Sequence, residues 1–252
     1  MINSVIKTFQ TIEYLLAEQE CDLASLSKAL GFPKSTALRI LKTLSCIGYV
    51  DQDLVTSKYR PSVKFFTWGR LMAGRAQLLE IARPFMRKLS EETGETVNLG
   101  VLDGSEVICV DKVASKQSLR QDQPIGSRAF AYCTAFGKAQ LAFMPEANIN
   151  KLLGREAFEG RTGRSLRTLS ALRKELKMVR NRGYAIDDEE FAEGVRCVGA
   201  PIFDDRRSVI AGISVAGPAL RMAPNRTPKL AASVVETARR ISELLGWTDK
   251  NK

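Results

Sequence analysis

The sequence predicts an α+β protein, with a small helical domain at the N-terminus and a larger domain of strands and helices after it. Over roughly the first 50 residues, apolar side chains recur every three or four positions, which is typical of packed helices. Further along, apolar and polar residues alternate in several short runs, as in strands. These runs are grouped at both ends of the larger part with helices between them. This arrangement favours a mainly antiparallel sheet.

Composition limits the functions to consider. A length of 252 residues suits one large or two modest domains, and a hydrophobic content of 44% is enough to form their cores. The formal charge of +10 favours a polyanionic partner. The chain contains no histidine, which excludes Ser-His-Asp and Cys-His catalysis and the HExxH zinc motif. Neither GxxxxGK[ST] nor GxGxxG occurs. We therefore expect no catalytic residue, no metal and no cofactor.

The cysteines and the lengths of the apolar segments indicate the cellular compartment to expect. The five cysteines are scattered without a CxxC pair, which is typical of reduced thiols rather than disulfides or a zinc site. No apolar run approaches the roughly 20 residues of a membrane span. The first ten residues, MINSVIKTFQ, have polar and charged side chains where a signal peptide has an apolar block. We expect a cytoplasmic protein without membrane contact.

The segment from Asp22 to Val50 predicts a helix-turn-helix, with the motif over about 22–48. Asp22 is a good N-cap for a first helix ending at Leu30, and Gly31 supplies the left-handed conformation that ends many helices. Pro33 sets the entry of the second helix. That helix has an apolar face for packing on the first helix, made of Ala37, Ile40, Leu41, Leu44 and Ile47.

The opposite face of the second helix carries hydroxyl and basic side chains, as a helix that reads the major groove does. A two-stranded ribbon is predicted next: Tyr49-Val50, a turn at Asp51-Gln52-Asp53, and a returning strand from Leu54 to Arg60. Together these elements predict a winged helix-turn-helix DNA-binding domain over residues 1–61. The alternative is an ordinary helical hairpin with a solvated basic face. The candidate DNA-binding residues are Lys34, Ser35, Thr36, Arg39, Lys42, Lys58 and Arg60.

A supporting helix is predicted before this motif and further elements after it. The first helix is capped by Ser4 or Asn3, runs to about Ala17 and has an apolar stripe of Val5, Ile6, Phe9, Ile12, Leu15 and Leu16. The later helices are predicted over Leu78–Glu92, from Tyr132 to near Met144, and over Ala147–Leu153, Leu169–Arg182 and Pro228–Leu245. The later strands are predicted over Thr96–Leu102, Val107–Lys112, Ser118–Gln121, Tyr184–Asp187, Cys197–Phe203 and Val209–Val215.

These residues resemble a known family. Ser4-Val5 opening a helix, followed by PKSTALRILKTLSCIGYV, is similar to the IclR family of bacterial transcriptional regulators, and the resemblance continues almost to the C-terminus. It implies a linker helix over 62–77 that takes part in dimerisation, and a GAF-like effector-binding domain over 78–252. Pro61-Ser62 replaces the Leu-Gly that is usual in the family after the wing. Within the family, the chain is most similar to the branch that senses sugar acids such as 2-keto-3-deoxygluconate.

Three stretches match motifs of the family's effector pocket: Gly126–Lys138 with its TAxGK pattern, Gly183–Pro201, and Ile213–Pro218. A loop entering a helix offers free amides to a carboxylate. Ala216 stands where many members have a second serine. Each of these residues also has a structural interpretation that needs no ligand. In that interpretation Cys197 is a buried apolar residue, Asp187 a turn residue and Ser214 a core hydroxyl, and the acidic run 187–190 is a solvated loop. The resemblance implies these effector-binding residues: Gly126, Thr134, Ala135, Asp187, Cys197 and Ser214.

The function predicted from these features is that of a repressor that binds a pseudo-palindromic operator in double-stranded DNA as a homodimer or a dimer of dimers. A small carboxylate effector, such as a sugar acid or a 2-keto acid, would control its affinity for DNA. The alternatives are an enzyme acting on a keto acid with an accessory DNA-binding module, and a constitutive architectural DNA-binding protein.

Overall fold

The computed structural model describes residues 1–71, 74–154 and 158–248. The chain forms two compact units, Met1–Ala76 and Gln77–Lys252. The predicted linker, 62–77, includes residues 72 and 73, which lie outside the described residues. No helix of the described residues is long and apolar enough to cross a membrane.

The first unit begins with three helices: α1 (Asn3–Glu18), α2 (Leu23–Leu30) and α3 (Lys34–Cys46). The predicted capping of α2 is confirmed, because an Asp22 carboxylate oxygen accepts the N–H groups of Ala24 and Ser25 at 2.8 and 2.9 Å. Gly31 closes α2 at φ 66° and ψ 24°, the left-handed conformation expected of it. The helices pack around a small core of Leu15, Leu26, Ala37, Ile40, Leu41, Leu44 and Val50.

Two details of these helices differ from prediction. Ile2, not Ser4 or Asn3, occupies the N-cap of α1, and it makes no side-chain capping bond. Of the predicted apolar stripe, only Leu15 is buried and Ile12 is partly buried, since α1 packs instead through the face of Thr11 and Leu15. Thr11 is buried without cost because its hydroxyl donates to the carbonyl of Lys7 at 2.8 Å. The other stripe residues, Val5, Ile6, Phe9 and Leu16, are exposed.

The wing is present, with different strand ends from those predicted. Strand β1 (Val50–Gln52) pairs antiparallel with β2 (Tyr59–Pro61), and residues 53–58 form the loop. The predicted turn at Asp51-Gln52-Asp53 is wrong. Asp53 starts the turn instead, because its carboxylate accepts the N–H groups of Val55 and Thr56, both at 2.8 Å. Polar residues fit the ribbon because Asp51 and Gln52 are exposed.

Helix α4 (Lys64–Leu71) follows the wing and packs on it through aromatic side chains. Tyr49 lies against Phe65 and Trp68, with ring centroids 5.3 and 4.9 Å away. The ammonium group of Lys64 lies 4.3 Å from the Tyr49 centroid. The apolar segment after the wing is therefore a helix packed within the first unit and not an extended tether.

The second unit is built on a six-stranded antiparallel sheet in the order β5-β4-β3-β8-β7-β6. Its antiparallel character and the α+β class were predicted. The strands are β3 (Thr96–Asp103), β4 (Glu106–Val113), β5 (Arg128–Phe130), β6 (Ala185–Asp188), β7 (Val195–Phe203) and β8 (Val209–Pro218). The hairpin of β3 and β4 turns at Asp103-Gly104, as predicted.

Helices cover both faces of this sheet. One face packs on α5 (Gly74–Thr93) and α9 (Thr227–Leu244) through a large apolar core that includes Leu78, Met86, Leu99, Ile213 and Val234. The other face meets α6 (Ala135–Leu141), with α7 (Glu146–Leu153) and α8 (Leu169–Arg182) contributing to a second core. Both faces of β3 are consequently buried along most of its length.

The predicted strand Ser118–Gln121 does not form. Its carbonyl groups accept hydrogen bonds from side chains and not from a neighbouring strand: Thr96 Oγ1 donates to Gln121 and Arg221 to Leu119, both at 2.8 Å. The edge position beside β4 is taken by β5 (Arg128–Phe130), which the sequence analysis did not predict as a strand.

Candidate DNA-binding surface and effector site

The candidate DNA-binding residues of α3 lie on its outer face. Lys34, Ser35, Arg39 and Lys42 are exposed and Thr36 is half-buried, whereas Ala37, Ile40, Leu41 and Leu44 are buried. None of the basic side chains on this face forms an ion pair with a described residue. They are therefore free to contact base edges and phosphates. Ile47, predicted to be buried, is half exposed because α3 ends at Cys46 and Ile47 follows it.

The two basic candidates of the wing differ from each other. Arg60 on β2 is exposed and lies opposite Asp51 of β1. Lys58 forms an ion pair with Glu20, with Nζ and Oε1 2.6 Å apart, and the carboxylate raises the pKa of the lysine. A phosphate group must therefore compete with Glu20 for Lys58.

The effector candidates of the sheet share one face and adjacent rows. Directly paired residues of antiparallel strands point to the same face. Asp187 pairs with Cys197, and Cys197 with Ala216, which forms one row across three strands. Ser214 lies two positions before Ala216 on β8 and so faces the same side, in the next row. The row of Ser214 continues to Gly199 on β7 and to Asn98 on β3.

Helix α6 lies directly on this face. A Cβ atom added to Gly199 would lie 2.8 Å from both the carbonyl carbon of Ala135 and the nitrogen of Phe136. An added Cβ at Gly212 would lie 2.4 Å from the Phe136 oxygen. Glycine is thus required for the start of α6, at Thr134 and Ala135, to reach the rows of Cys197 and Ser214. The first amides of a helix have no partner within it, so they offer hydrogen bonds here.

Asp187 is almost fully buried, with 1% of its surface exposed. Its Oδ1 accepts the N–H groups of Glu190 and Phe191, at 2.8 and 3.3 Å. Burial raises the pKa of Asp187 to about 7, while the ammonium group of Lys138 opposes that rise and the Glu190 carboxylate adds to it. Asp187 is therefore a group that changes charge near neutral pH.

The two cysteines of this region stay protonated at neutral pH. Burial, together with a smaller contribution from the nearby Asp187 carboxyl, raises the pKa of the Cys133 thiol to about 12. Burial also raises the pKa of Cys197 well above its ordinary value, and its hydrogen bond with Asp187 acts in the same direction. A thiol attacks as its thiolate, so neither cysteine is activated as a nucleophile.

A buried ion pair between Lys138 and Glu190 is a feature that the sequence analysis missed. Lys138, on α6, has a side chain that is 1% exposed, and its Nζ pairs with Oε1 of Glu190. Burial raises the pKa of Glu190 above its ordinary value, and the Lys138 ammonium group offsets only part of that rise. The alternative interpretation of 187–190 as a solvated loop is wrong for Asp187 and Glu190, which are both buried. The lysine of the TAxGK pattern was the available signal.

Gly126 is not part of this cluster. It lies in an exposed turn at φ 86°, where its N–H donates to the Cys109 carbonyl at 2.7 Å. Cys109 belongs to β4, three strands away from the β7 strand of Cys197. Among all the residues that the structure describes, no group of three or more His, Cys, Asp or Glu side chains could hold a metal ion.

Comparison with known families fits this arrangement of domains. Residues 4–54 match the IclR helix-turn-helix domain, and residues 71–243 match the C-terminal domain of bacterial IclR transcriptional regulators. The chain belongs to the IclR family. It is therefore a member of a family of DNA-binding transcriptional regulators and not of an enzyme family, as the residue pattern predicted.

Individual IclR proteins resemble the chain over nearly its full length. It is 35% identical to the HTH-type transcriptional regulator KdgR of Escherichia coli strain K12, across 98% of this chain and 94% of that protein. It is 33% identical to the acetate operon repressor of Salmonella typhimurium, across 98% and 91%. The crystal structure of Thermotoga maritima IclR matches with a TM-score of 0.82 and 29% identity, across 98% of this chain and all of that one.

Proposed function

We propose that this IclR-family regulator is a repressor whose DNA affinity is controlled by a small carboxylate effector, such as a sugar acid or a 2-keto acid. The protein acts in the cytoplasm on double-stranded DNA. The observation that carries the proposal is the sheet face on which Asp187, Cys197 and Ser214 lie beside the start of α6. Repressors among the relatives, such as the acetate operon repressor, support the direction of regulation.

The face offers a carboxylate complementary groups. The backbone at the start of α6 lies over Gly199, and the first amides of a helix are donors without a partner inside the helix. Asp187 has a pKa of about 7, so its protonated form can donate a hydrogen bond to the acid as well. Ser214 adds a hydroxyl in the neighbouring row, while Ala216 has none. Thr134 and Ala135 position the amides, whereas Gly126, in an exposed turn outside this cluster, is assigned no contact with the effector.

On the DNA side, we propose that a homodimer, or a dimer of dimers, places two recognition helices in successive major grooves of a pseudo-palindromic operator. Arg39 and the hydroxyl groups of Ser35 and Thr36 read bases there. Lys34 and Lys42, with Lys58 and Arg60 of the wing, contact phosphates. The effector changes this binding only if its affinities for the DNA-bound and free states differ.

The test is a gel shift on the DNA upstream of the protein's own gene, repeated with a panel of sugar acids and 2-keto acids. We expect one acid to release the DNA, with a coupling of about 1 to 3 kcal/mol. Ser214→Ala should reduce the response to that acid, and Ser208→Ala, in the exposed turn after β7, should not. A specific shift that every acid leaves unchanged would contradict the effector part of the proposal. A release that Ser214→Ala leaves intact would place the site elsewhere.

A further inference from the structure

We propose that Asn98 extends the effector site and selects acids that carry hydroxyl groups on their carbon chain over unsubstituted acids of the same length. This inference rests on the proposed effector site and specifies the chemistry of its ligand. Asn98 lies on β3, on the sheet face of Ser214, and is 2% exposed.

The amide oxygen of Asn98 is a buried acceptor with no hydrogen-bond partner among the described residues. An unpaired buried polar atom is costly, and folded proteins usually satisfy such atoms. The amide nitrogen makes only a long contact with Gln121 Oε1, at 3.5 Å. Asn98 therefore contributes little to holding the fold together. Its oxygen is complementary to a donor supplied by a ligand, and the hydroxyl group of a small molecule is such a donor.

Thr96, two positions away on the same face, shows the contrast. Its hydroxyl donates to the Gln121 carbonyl at 2.8 Å and accepts the N–H of Ser115 at 3.2 Å. Both of these bonds hold the loop after β4 against the sheet. Thr96 thus has a structural role, with its donor and one acceptor site already used within the fold, so it provides a matched control for Asn98.

Strand geometry sets the length of the ligand. Asn98, Ser214 and Gly199 are direct partners on the neighbouring strands β3, β8 and β7. Adjacent strands lie about 4.8 Å apart, so Asn98 is roughly 10 Å from Gly199, where the start of α6 offers its amides. A short acid such as pyruvate held at those amides does not reach Asn98. A six-carbon acid reaches it with the hydroxyl groups at its far end.

A second buried acceptor without a partner also favours a ligand that carries hydroxyl donors. Glu190 Oε2 is also buried without a hydrogen-bond partner among the described residues, in the cluster with Asp187 and Lys138. Both unpaired side-chain atoms of this region are acceptors. A ligand with several hydroxyl groups supplies donors that a plain keto acid lacks.

The experiment compares two six-carbon probes on the full-length protein by calorimetry: 2-keto-3-deoxygluconate and 2-ketohexanoate, which differ only in hydroxyl groups. We expect the wild type to bind the hydroxylated acid about ten- to a hundredfold more tightly. Asn98→Leu and Asn98→Ala should bind the two acids within about threefold of each other. Thr96→Val should keep the wild-type preference but unfold at lower urea. Asn98→Leu should unfold at the wild-type urea concentration or above it.

Four outcomes would overturn the proposal. Equal binding of both acids by the wild type, or a preference that survives both Asn98 substitutions, would exclude Asn98 as the selecting residue while leaving the acid-binding function intact. A marked loss of stability in Asn98→Leu, with ligand preference unchanged, would show a purely structural role. If the wild type bound neither acid and neither released the DNA, the proposed effector function would fail together with this inference.

Discussion

Replacing Asp187 with asparagine should make the protein more stable at neutral pH and no more stable at pH 4. The folded protein holds this carboxyl at a pKa of about 7 because it is buried. In the unfolded chain an aspartate has a pKa of about 3.9. Between these values the folded state binds one more proton than the unfolded state. The free energy of unfolding therefore falls as the pH rises through that window.

The size of the effect follows from the width of the window. The two pKa values differ by about three units, and each unit corresponds to about 1.4 kcal/mol. The full difference is about 4 kcal/mol, reached above pH 7. Asparagine keeps the oxygen that accepts the N–H groups of Glu190 and Phe191 but carries no titrating proton. The advantage of Asp187→Asn should grow from near zero at pH 4 to roughly 2–4 kcal/mol at pH 8.

The assay is urea unfolding of the full-length wild type and variant at intervals from pH 4 to pH 8. Asp205→Asn, at an exposed turn position, controls for the loss of one negative charge. Other carboxyl groups titrate in both proteins, so the informative quantity is the difference between the two curves. If the unfolding free energies of wild type and Asp187→Asn differed by the same amount at every pH from 4 to 8, the assignment of a neutral buried acid at Asp187 would be refuted.

Three further predictions test the charged groups. Arg39→Ala should cost about 1–3 kcal/mol on the cognate operator and leave non-specific binding nearly unchanged, and equal losses on both DNAs would contradict base reading. Glu20→Gln removes the ion-pair partner of Lys58, so non-specific DNA binding measured by fluorescence anisotropy should tighten, and the slope of log affinity against log salt concentration should steepen by about one. An unchanged slope would place Lys58 away from DNA. Glu190→Gln should lower the free energy of unfolding, measured with urea, by about 3–5 kcal/mol because it leaves Lys138 as an unpaired buried charge. The double variant Glu190→Leu with Lys138→Met, which removes both charges, should lose much less of that free energy.

Local sequence signals predicted the first unit well because its structure depends on short-range interactions. The N-cap at Asp22 and the left-handed Gly31 need only neighbouring residues, and both occur as predicted. The errors arose where contacts override pattern. The apolar side chains of α1 have helical spacing, but which of them are buried depends on the elements that α1 meets. In the same way, the 118–121 segment alternates like a strand but bonds to the side chains of Thr96 and Arg221.

In the second unit, the sequence by itself determined the helices, most of the strands and the hairpin at Asp103-Gly104, since periodicity and turn residues are local properties. Matching motifs also singled out Asp187, Cys197 and Ser214. Their neighbours were decided only by the tertiary structure. Sheet order sets Asn98 beside Ser214, and the glycines let α6 approach closely enough to bury Lys138 against Glu190. These groups are far apart in sequence, and burial, which sets their charge and their need for partners, arises only when the chain has folded.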